Sequence, residues 1–160
     1  MSICQLGYYS YNRAKLANRI IDKSANQNMN HLQQFSKIKA FVFDMDGVLT
    51  DGTVLVTPEG DQLRTFAIRD GYILQLAVKI GYPVAIISGS TSVAAEKRFA
   101  SLGITDVFMG VKNKTQVLTT YLAGKNIAAD AVLFMGDDIP DLDVMQKVGL
   151  ACCPADAVPE

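Results

Sequence analysis

The chain of 160 residues is poor in the side chains that build disulfide frameworks and soft-metal sites. It has three cysteines, one histidine and no tryptophan. Of the cysteines Cys4, Cys152 and Cys153, two are adjacent, and this spacing fits neither a disulfide framework nor a zinc site. We interpret them as reduced thiols, which is typical of a cytoplasmic protein.

The chain also lacks a strong charge imbalance and a long apolar run. Its net charge of −1 gives no bulk field that would favour nucleic acid or an anionic membrane. No apolar run approaches the ~18 residues that span a bilayer, and the N-terminus has no secretory signal core. With 49% apolar and 19% charged residues, the composition indicates a globular cytoplasmic protein without a nucleic-acid or membrane partner.

Two regions differ in composition. Residues 1–37 are rich in Asn, Gln and Ser and have no sustained apolar face, so we expect a flexible N-terminal extension with at most a short helix over 13–22. One interpretation is that translation starts at Met29 and that the residues before it are an upstream extension; the alternative is an ordinary mobile tail. His31 lies in this extension and has no assigned role. Residues 38–160 are predicted to form one domain.

From Lys39 onward, short apolar runs alternate with segments of helical periodicity. A hairpin is predicted from 53–57 and 62–68, around a Pro58–Asp61 turn. The other predicted strands are 40–43, 83–87, 106–109, 131–135 and 150–153. The predicted helices are 70–80, 92–102, 113–123 (closed by Gly124) and 139–147.

This alternation predicts an α/β fold in three layers, a Rossmann-like parallel sheet covered on both faces. Ligands of such sheets bind beyond the carboxyl ends of the strands. Asp44 and Asp46, Ser88, and Asp137 with Asp138 each directly follow a predicted strand. Like charges buried together need a cation or a shared proton, so a metal-assisted site at this edge is the leading hypothesis.

The residue types suggest phosphoryl chemistry. Asp44 is the candidate nucleophile, and Asp46 the candidate acid and base. Asp137, with Asp138 or Asp141, would complete an oxygen shell for Mg²⁺. Ser88 and Lys114 would hold a phosphate. Taken singly, each residue has an ordinary explanation as a turn residue, a helix cap or a surface charge; the hypothesis depends on the set.

These motifs resemble the haloacid dehalogenase superfamily of phosphotransferases, and within it the 3-deoxy-D-manno-octulosonate 8-phosphate phosphatase family. The superfamily motifs are matched by residues 44–52, 87–89, Lys114 and 136–142. The narrower family is matched by 46–52, 60–61, 69–72, 102–104 and 148–150. The resemblance runs from about residue 37 to residue 159.

The resemblance implies a Mg²⁺-dependent phosphatase of lipopolysaccharide biosynthesis that acts on a sugar acid phosphate and has no large cap domain. It implies a homotetramer in which the hairpin packs between subunits. Asp44, Asp137 and the backbone carbonyl of Asp46 would bind the metal. Ser88 and Lys114 would complete the catalytic set. The substrate-binding set it implies is Asp46, Ala67, Ile68, Arg69, Asp70, Gly71, Arg98 and Lys114.

Departures from the family pattern leave alternatives open. Many members have arginine where this chain has Ser90 and Gln75, so the substrate is either the eight-carbon sugar acid phosphate or a related nine-carbon one. Members also continue beyond the position of Glu160. We expect a domain truncated at its C-terminus, and the alternative is a chain that has lost that element. A non-catalytic domain associated with a nucleotidyl-sugar synthetase, or a phosphorylated receiver domain, is the non-enzymatic alternative.

Overall fold

The computed structural model describes residues 31–159. Its strands are β1 (Ala40–Phe43), β2 (Leu55–Val56), β3 (Gln62–Leu63), β4 (Val84–Ile87), β5 (Asp106–Phe108), β6 (Val132–Met135) and β7 (Leu150–Cys152). Its α-helices are α1 (His31–Phe35), α2 (Ile68–Lys79), α3 (Val93–Ser101), α4 (Lys114–Lys125) and α5 (Leu142–Met145). Short 3₁₀ turns cover Ala129–Ala131 and Ile139–Asp141.

Five strands form one parallel sheet in the order β5-β4-β1-β6-β7. The chain builds outward from β1 through β4 to β5, and then returns to the other side of β1 to add β6 and β7. The strand order therefore reverses beside β1, which is where open α/β sheets bind their ligands.

Side chains of the central strands alternate between two buried layers. Val42 lies on the face covered by Leu118 and Leu122 of α4. Phe43 lies on the opposite face, with Leu74 of α2 and Phe99 of α3. Because successive strand residues point to opposite faces, a strand that is apolar throughout needs a helix layer on each side. The predicted three-layer α/β sheet is confirmed.

The observed helices differ from the predicted ones by one or two residues at most ends, and two differences have a local cause. Helix α4 runs through Gly124 and ends at Lys125, where Asn126 is the C-cap and is left-handed with φ 55°. Asparagine tolerates this conformation, so a second candidate terminator stood two residues beyond the predicted one. The predicted helix 139–147 is instead a 3₁₀ turn followed by the four-residue α5. The Asp138 carboxylate caps that turn by accepting from the Ile139 amide at 2.7 Å, and Pro140 lies in its first turn.

The hairpin of β2 and β3 is shorter than predicted, with two residues in each strand. Its apolar side chains face solvent: Leu55 is 68% exposed, Val56 62% and Leu63 47%. Nothing in the described chain covers them, so only the pairs next to the turn keep regular strand geometry.

Helix α1 occupies part of the predicted N-terminal extension, and Ile38 after it belongs to the core. The predicted helix over 13–22 and the alternative start at Met29 lie outside the described residues. Within 31–159, none of the helices has both the length and the apolarity to cross a membrane.

Candidate functional site

The loop after β1 places Asp44 and Asp46 at the carboxyl edge of the sheet. The Asp44 amide donates to the Met135 carbonyl at 2.9 Å, which extends the β1–β6 ladder by one residue. The next side chain, Met45, is fully buried, and its carbonyl accepts from the amides of Leu49 and Thr50. A buried Met45 between the two aspartates anchors the loop, so both carboxylates stay above the sheet edge.

Gly47 allows the loops after β1 and β6 to approach each other. It has φ +81°, and a Cβ added there would overlap the Asp137 carboxylate. Only glycine meets both requirements, because a left-handed backbone and the absence of a side chain are needed at the same position.

The predicted residues Asp44, Asp46, Ser88, Lys114 and Asp137 all line one cavity of about 480 Å³. They arrive from the loops after β1, β4 and β6 and from the start of α4. The cavity is completed by Gly47, Gly52, Gly89, Ser90, Val111, Lys112, Asp138, Pro140 and Asp141.

Lys114 lies at the centre of a buried charge cluster and is 8% exposed. Its ammonium is 3.0 Å from Oδ1 of Asp44 and 2.7 Å from Oδ1 of Asp141. Burial lowers the pKa of Lys114, but attraction to Asp44 and Asp141 outweighs burial, so the pKa is above its ordinary value. Lys114 is therefore a fixed positive charge at neutral pH.

Asp141 is fully buried, and both oxygens of its carboxylate accept hydrogen bonds. Oδ1 accepts from Lys114, while Oδ2 accepts from the amides of Asp137 and Asp138 at 3.3 and 3.5 Å. Asp141 thus ties the start of α4 to the loop that carries Asp137. A carboxylate satisfied on both oxygens positions its neighbours rather than offering a free ligand.

Carboxylate oxygens of Asp44, Asp137 and Asp141 lie within 4.8 Å of one another. Oδ1 of Asp44 and Oδ1 of Asp137 are both buried without a hydrogen-bond donor. Lys114 lies 3.0 Å from the first of these oxygens as its ion-pair partner. Two buried oxygens lacking donors, in an all-oxygen cluster, fit a hard cation such as Mg²⁺.

The two unsatisfied carboxyls have raised pKa values. Burial raises the pKa of Asp44 to about 6, against the opposing effect of Lys114. Burial, and then the charge of Asp44, raises the pKa of Asp137 to about 6. Three carboxylates share one ammonium here, so the cluster carries uncompensated negative charge.

Asp46 is not part of the close group of Asp44, Asp137 and Asp141. Its carboxylate accepts two hydrogen bonds from Arg64, from Nε at 2.6 Å and Nη2 at 3.1 Å, and one from Ser90 Oγ at 2.7 Å. The Arg64 side chain is 3% exposed and reaches the site from beyond β3. The hairpin thus contributes to the site of its own chain. Asp46 is held apart from Asp44 by these partners.

Ser88 is 1% exposed at the end of β4. Its Oγ lies 3.1 Å from Ser90 Oγ and accepts from the Ser90 amide at 3.3 Å. Its backbone carbonyl accepts from the Val111 amide at 2.9 Å, which joins this turn to the loop before α4. The hydroxyl is thereby fixed at the cavity wall.

The other predicted substrate-binding residues lie outside this cavity. Ala67, Ile68, Arg69, Asp70 and Gly71 form the start of α2. Arg98 of α3 packs so closely on Gly71 that a Cβ there would overlap its guanidinium. These six residues form a second group, and their predicted role stays a prediction.

Sequence reasoning missed Arg64 and Lys112. Arg64 lies 18 residues from Asp46, and no periodicity indicates that the hairpin folds back over the site. Lys112 stands two residues before Lys114 on a strand-to-helix loop, which was the one available signal that it faces the same cavity.

Known proteins resemble this chain in sequence and in structure. The 3-deoxy-D-manno-octulosonate 8-phosphate phosphatase of Escherichia coli K12 is 40% identical over 122 residues, 76% of this chain and 65% of that protein. The Yersinia pestis phosphatase of the same name is 34% identical, covering 80% of this chain and 68% of that protein.

The chain belongs to the 3-deoxy-D-manno-octulosonate 8-phosphate phosphatase family, within the haloacid dehalogenase superfamily.

The family assignment agrees with a solved structure. The phosphatase of that name from Moraxella catarrhalis, crystallised with magnesium, phosphate and KDO, superposes with a TM-score of 0.78 at 30% identity, over 82% of this chain and 76% of that one. No family model matches the chain. The chain spans 65% of the length of the E. coli relative.

Proposed function

We propose that this chain is a Mg²⁺-dependent phosphomonoesterase that hydrolyses 3-deoxy-D-manno-octulosonate 8-phosphate through an aspartyl-phosphate. One observation carries the proposal: Asp44 is buried at the sheet edge, with a carboxylate oxygen that lacks a donor and faces Asp137 and Lys114. The substrate is the one named for the relatives in E. coli and Y. pestis.

Asp44 is the proposed nucleophile. Its carboxylate attacks phosphorus, the bond to the sugar oxygen breaks, and water later releases phosphate and restores the carboxylate. Lys114, at 3.0 Å, keeps a positive charge beside the attacking oxygen and the transferring group.

Asp46 is the proposed acid and base. In its protonated form it donates a proton to the leaving sugar oxygen, and as a carboxylate it then accepts one from the attacking water. Its carboxylate bonds to Arg64 and Ser90, whereas Asp44 pairs with Lys114, so the two aspartates have separate partners for their separate roles. Arg64 and Ser90 hold its carboxylate at the lining of the cavity.

Asp44, Asp137 and the backbone carbonyl of Asp46 are the proposed Mg²⁺ ligands. When bound, the ion would orient the phosphate and neutralise part of its charge. Asp141 holds the Asp137 loop in place through the amides of residues 137 and 138. Magnesium is the ion in the M. catarrhalis structure.

The charge around the cavity supports a metal requirement. Its lining includes five carboxylates, from Asp44, Asp46, Asp137, Asp138 and Asp141, against two ammonium groups. A phosphate dianion entering such a site is repelled unless a divalent cation accompanies it. Ser88 and Lys114, which are proposed to bind phosphate oxygens, would not offset that repulsion alone.

The second group of residues, 67–71 with Arg98, is proposed to contact the sugar acid once subunits assemble. We propose a homotetramer, supported by the exposed apolar side chains of β2 and β3. We also propose a cytoplasmic location, supported by free Cys152 and Cys153 in the described part of the chain.

Ser90 and Gln75 favour keeping a nine-carbon 2-keto-3-deoxy sugar acid phosphate as the second candidate substrate. Ser90 bonds to Asp46, and Gln75 accepts a hydrogen bond from Lys79 at 3.3 Å, so neither position offers the cation that many family members have. A sugar acid phosphate whose carboxylate is placed differently relative to its phosphate is therefore the second candidate substrate.

Phosphate release from a panel of sugar phosphates tests the proposal. The panel contains the eight-carbon and nine-carbon sugar acid phosphates and neutral hexose phosphates, each with Mg²⁺, with Zn²⁺ and with excess chelator. We expect Mg²⁺-dependent turnover that is highest on the eight-carbon substrate, and little activity with Zn²⁺, since the ligands are all oxygen. Full activity in chelator would refute the metal role, and no turnover of any ester would refute the phosphatase.

A further inference from the structure

We propose that Lys112 binds the carboxylate of the substrate, and so distinguishes sugar acid phosphates from neutral sugar phosphates; this rests on the proposed function. Lys112 lines the same cavity as Asp44 and Lys114. It is exposed, whereas Lys114 is buried. The two lysines therefore lie at different depths along one cavity wall.

The other cations near the reacting groups already have partners. Lys114 pairs with Asp44 and Asp141, and Arg64 makes a two-pronged pair with Asp46. Within residues 31–159, no carboxylate lies within 4.0 Å of the Lys112 ammonium. Lys112 is thus the cation of this cavity that can take a new anionic partner without breaking an ion pair.

The backbone around Lys112 is fixed on both sides. Before it, the amides of Gly110 and Val111 donate to the carbonyls of Ser90 and Ser88, each at 2.9 Å. After it, the Asn113 side chain caps α4 by accepting from the Gln116 amide at 2.9 Å. The position of the Lys112 backbone is therefore fixed beside the turn that carries Ser88. Only the side chain is free to move the ammonium.

The depth difference decides which anion Lys112 meets. A phosphate within reach of Asp44 lies on the cavity floor, next to the buried Lys114. The rest of the substrate extends toward the mouth, where Lys112 is exposed. An octulosonate 8-phosphate has its carboxylate and its phosphate at opposite ends, so a floor lysine and a mouth lysine match its two charges.

Substitution of Lys112 by Gln tests whether this lysine binds the carboxylate or the phosphate of the substrate. For the sugar acid phosphate, Lys112→Gln should raise KM about 3- to 20-fold, the range between an exposed ion pair and a charged hydrogen bond, with kcat nearly unchanged. For glucose 6-phosphate, which has no carboxylate, KM should stay within about twofold. Lys112→Arg should restore most of the affinity, since it keeps the charge.

Lys147→Gln is the matched control, because it removes one exposed positive charge away from the cavity. It should leave both KM values unchanged. Equal KM increases on both substrates would overturn the proposal, because Lys112 would then bind phosphate. No change on either substrate would overturn it as well.

A binding measurement keeps the test independent of turnover. The free sugar acid carries the carboxylate without a phosphate, and calorimetry gives its Kd in Mg²⁺. We expect Lys112→Gln to weaken this Kd by the same factor as the KM, and Lys147→Gln to leave it unchanged. If the parent chain hydrolyses no ester, the proposed function fails while this Kd still decides the role of Lys112; unaltered or absent binding overturns it.

Discussion

The carboxyl edge of the sheet and the hairpin above it are built in opposite ways. At the edge, Asp44, Ser88, Lys114 and Asp141 are all less than a tenth exposed, and hydrogen bonds or ion pairs connect the loops that carry them. On the hairpin, Leu55 and Val56 are more than half exposed. Contacts within the described residues connect the loops of the edge, whereas the hairpin leaves apolar surface that a partner would cover.

This difference suggests that chemistry and selectivity have separate structural sources. The groups proposed to break the phosphate ester are held by the buried core. The groups proposed to select the sugar acid lie at the cavity mouth, where Lys112 is exposed, or in the separate 67–71 group. Variants at the edge should therefore affect turnover, and variants of the hairpin should affect assembly and selectivity.

The largest effect is expected for Asp44→Asn. The side chain keeps its size but loses the nucleophile and a metal ligand, so kcat should fall by about 10³- to 10⁶-fold with an unchanged circular dichroism spectrum. Asp130→Asn, which alters an exposed carboxylate outside the cavity, is the control and should turn over like the parent. Activity of Asp44→Asn within tenfold of the parent would exclude an aspartyl-phosphate on that residue.

Asp46→Asn should reduce kcat on the sugar phosphate by about 10²- to 10⁴-fold, because proton transfer to the leaving oxygen is lost. Magnesium affinity should largely persist, since the proposed ligand at this position is a backbone carbonyl. A parent-like rate on an ester with a poor leaving group would show that Asp46 is not the acid.

Assembly is the property that the hairpin should control. Replacing both Leu55 and Val56 by Ser removes about 3–6 kcal/mol of possible apolar burial per contact, so association should weaken by about 10²-fold or more. Val93→Ser is a suitable control, since Val93 is 67% exposed on α3. Light scattering would measure both. A parent chain that is monomeric at micromolar concentration would contradict the assembly proposal.

Two glycines sharpen the comparison between the regions. Gly47 and Gly60 both have positive φ, +81° and +90°, but only Gly47 has atoms within 4 Å of an added Cβ. Both alanine variants should lose about 1 kcal/mol of stability from the backbone. Gly47→Ala should also displace Asp137 and weaken Mg²⁺ binding at least tenfold, while Gly60→Ala binds Mg²⁺ normally. Equal Mg²⁺ affinities in calorimetry would show that the close approach is unnecessary.

The smallest expected effect is on the pH dependence of folding stability in the absence of metal. Asp44 and Asp137 have pKa values of about 6, above their ordinary value of 3.8, so the folded state binds more protons than the unfolded state between about pH 4 and 6. This stabilisation is lost as pH rises through 6. In chelator, lowering the pH from 7 to 5 should raise the Tm of the parent chain. This rise should be a few degrees larger than the rise in Asp137→Asn. An identical pH profile for the two proteins would refute the buried charge cluster.

Sequence patterns identified most of the edge and little of the mouth. Asp44, Ser88 and Asp137 follow apolar strands directly, and a parallel sheet must bring such residues to one edge. Arg64 was out of reach because its pairing with Asp46 depends on how the hairpin folds back, which no local pattern encodes. The end of α4 at Lys125 was missed because Gly124, an ordinary terminator, is tolerated within the helix.

The most direct test of the central claim is a pre-steady-state experiment with p-nitrophenyl phosphate and Mg²⁺. Its good leaving group needs no acid, but release of phosphate from Asp44 still needs Asp46 as base. In Asp46→Asn we therefore expect a burst of nitrophenolate approaching one per chain. Borohydride converts an aspartyl-phosphate to homoserine with loss of the phosphate, so mass spectrometry of the quenched and reduced protein should find homoserine at position 44. Linear release without a burst, or homoserine at any other aspartate, would contradict the account.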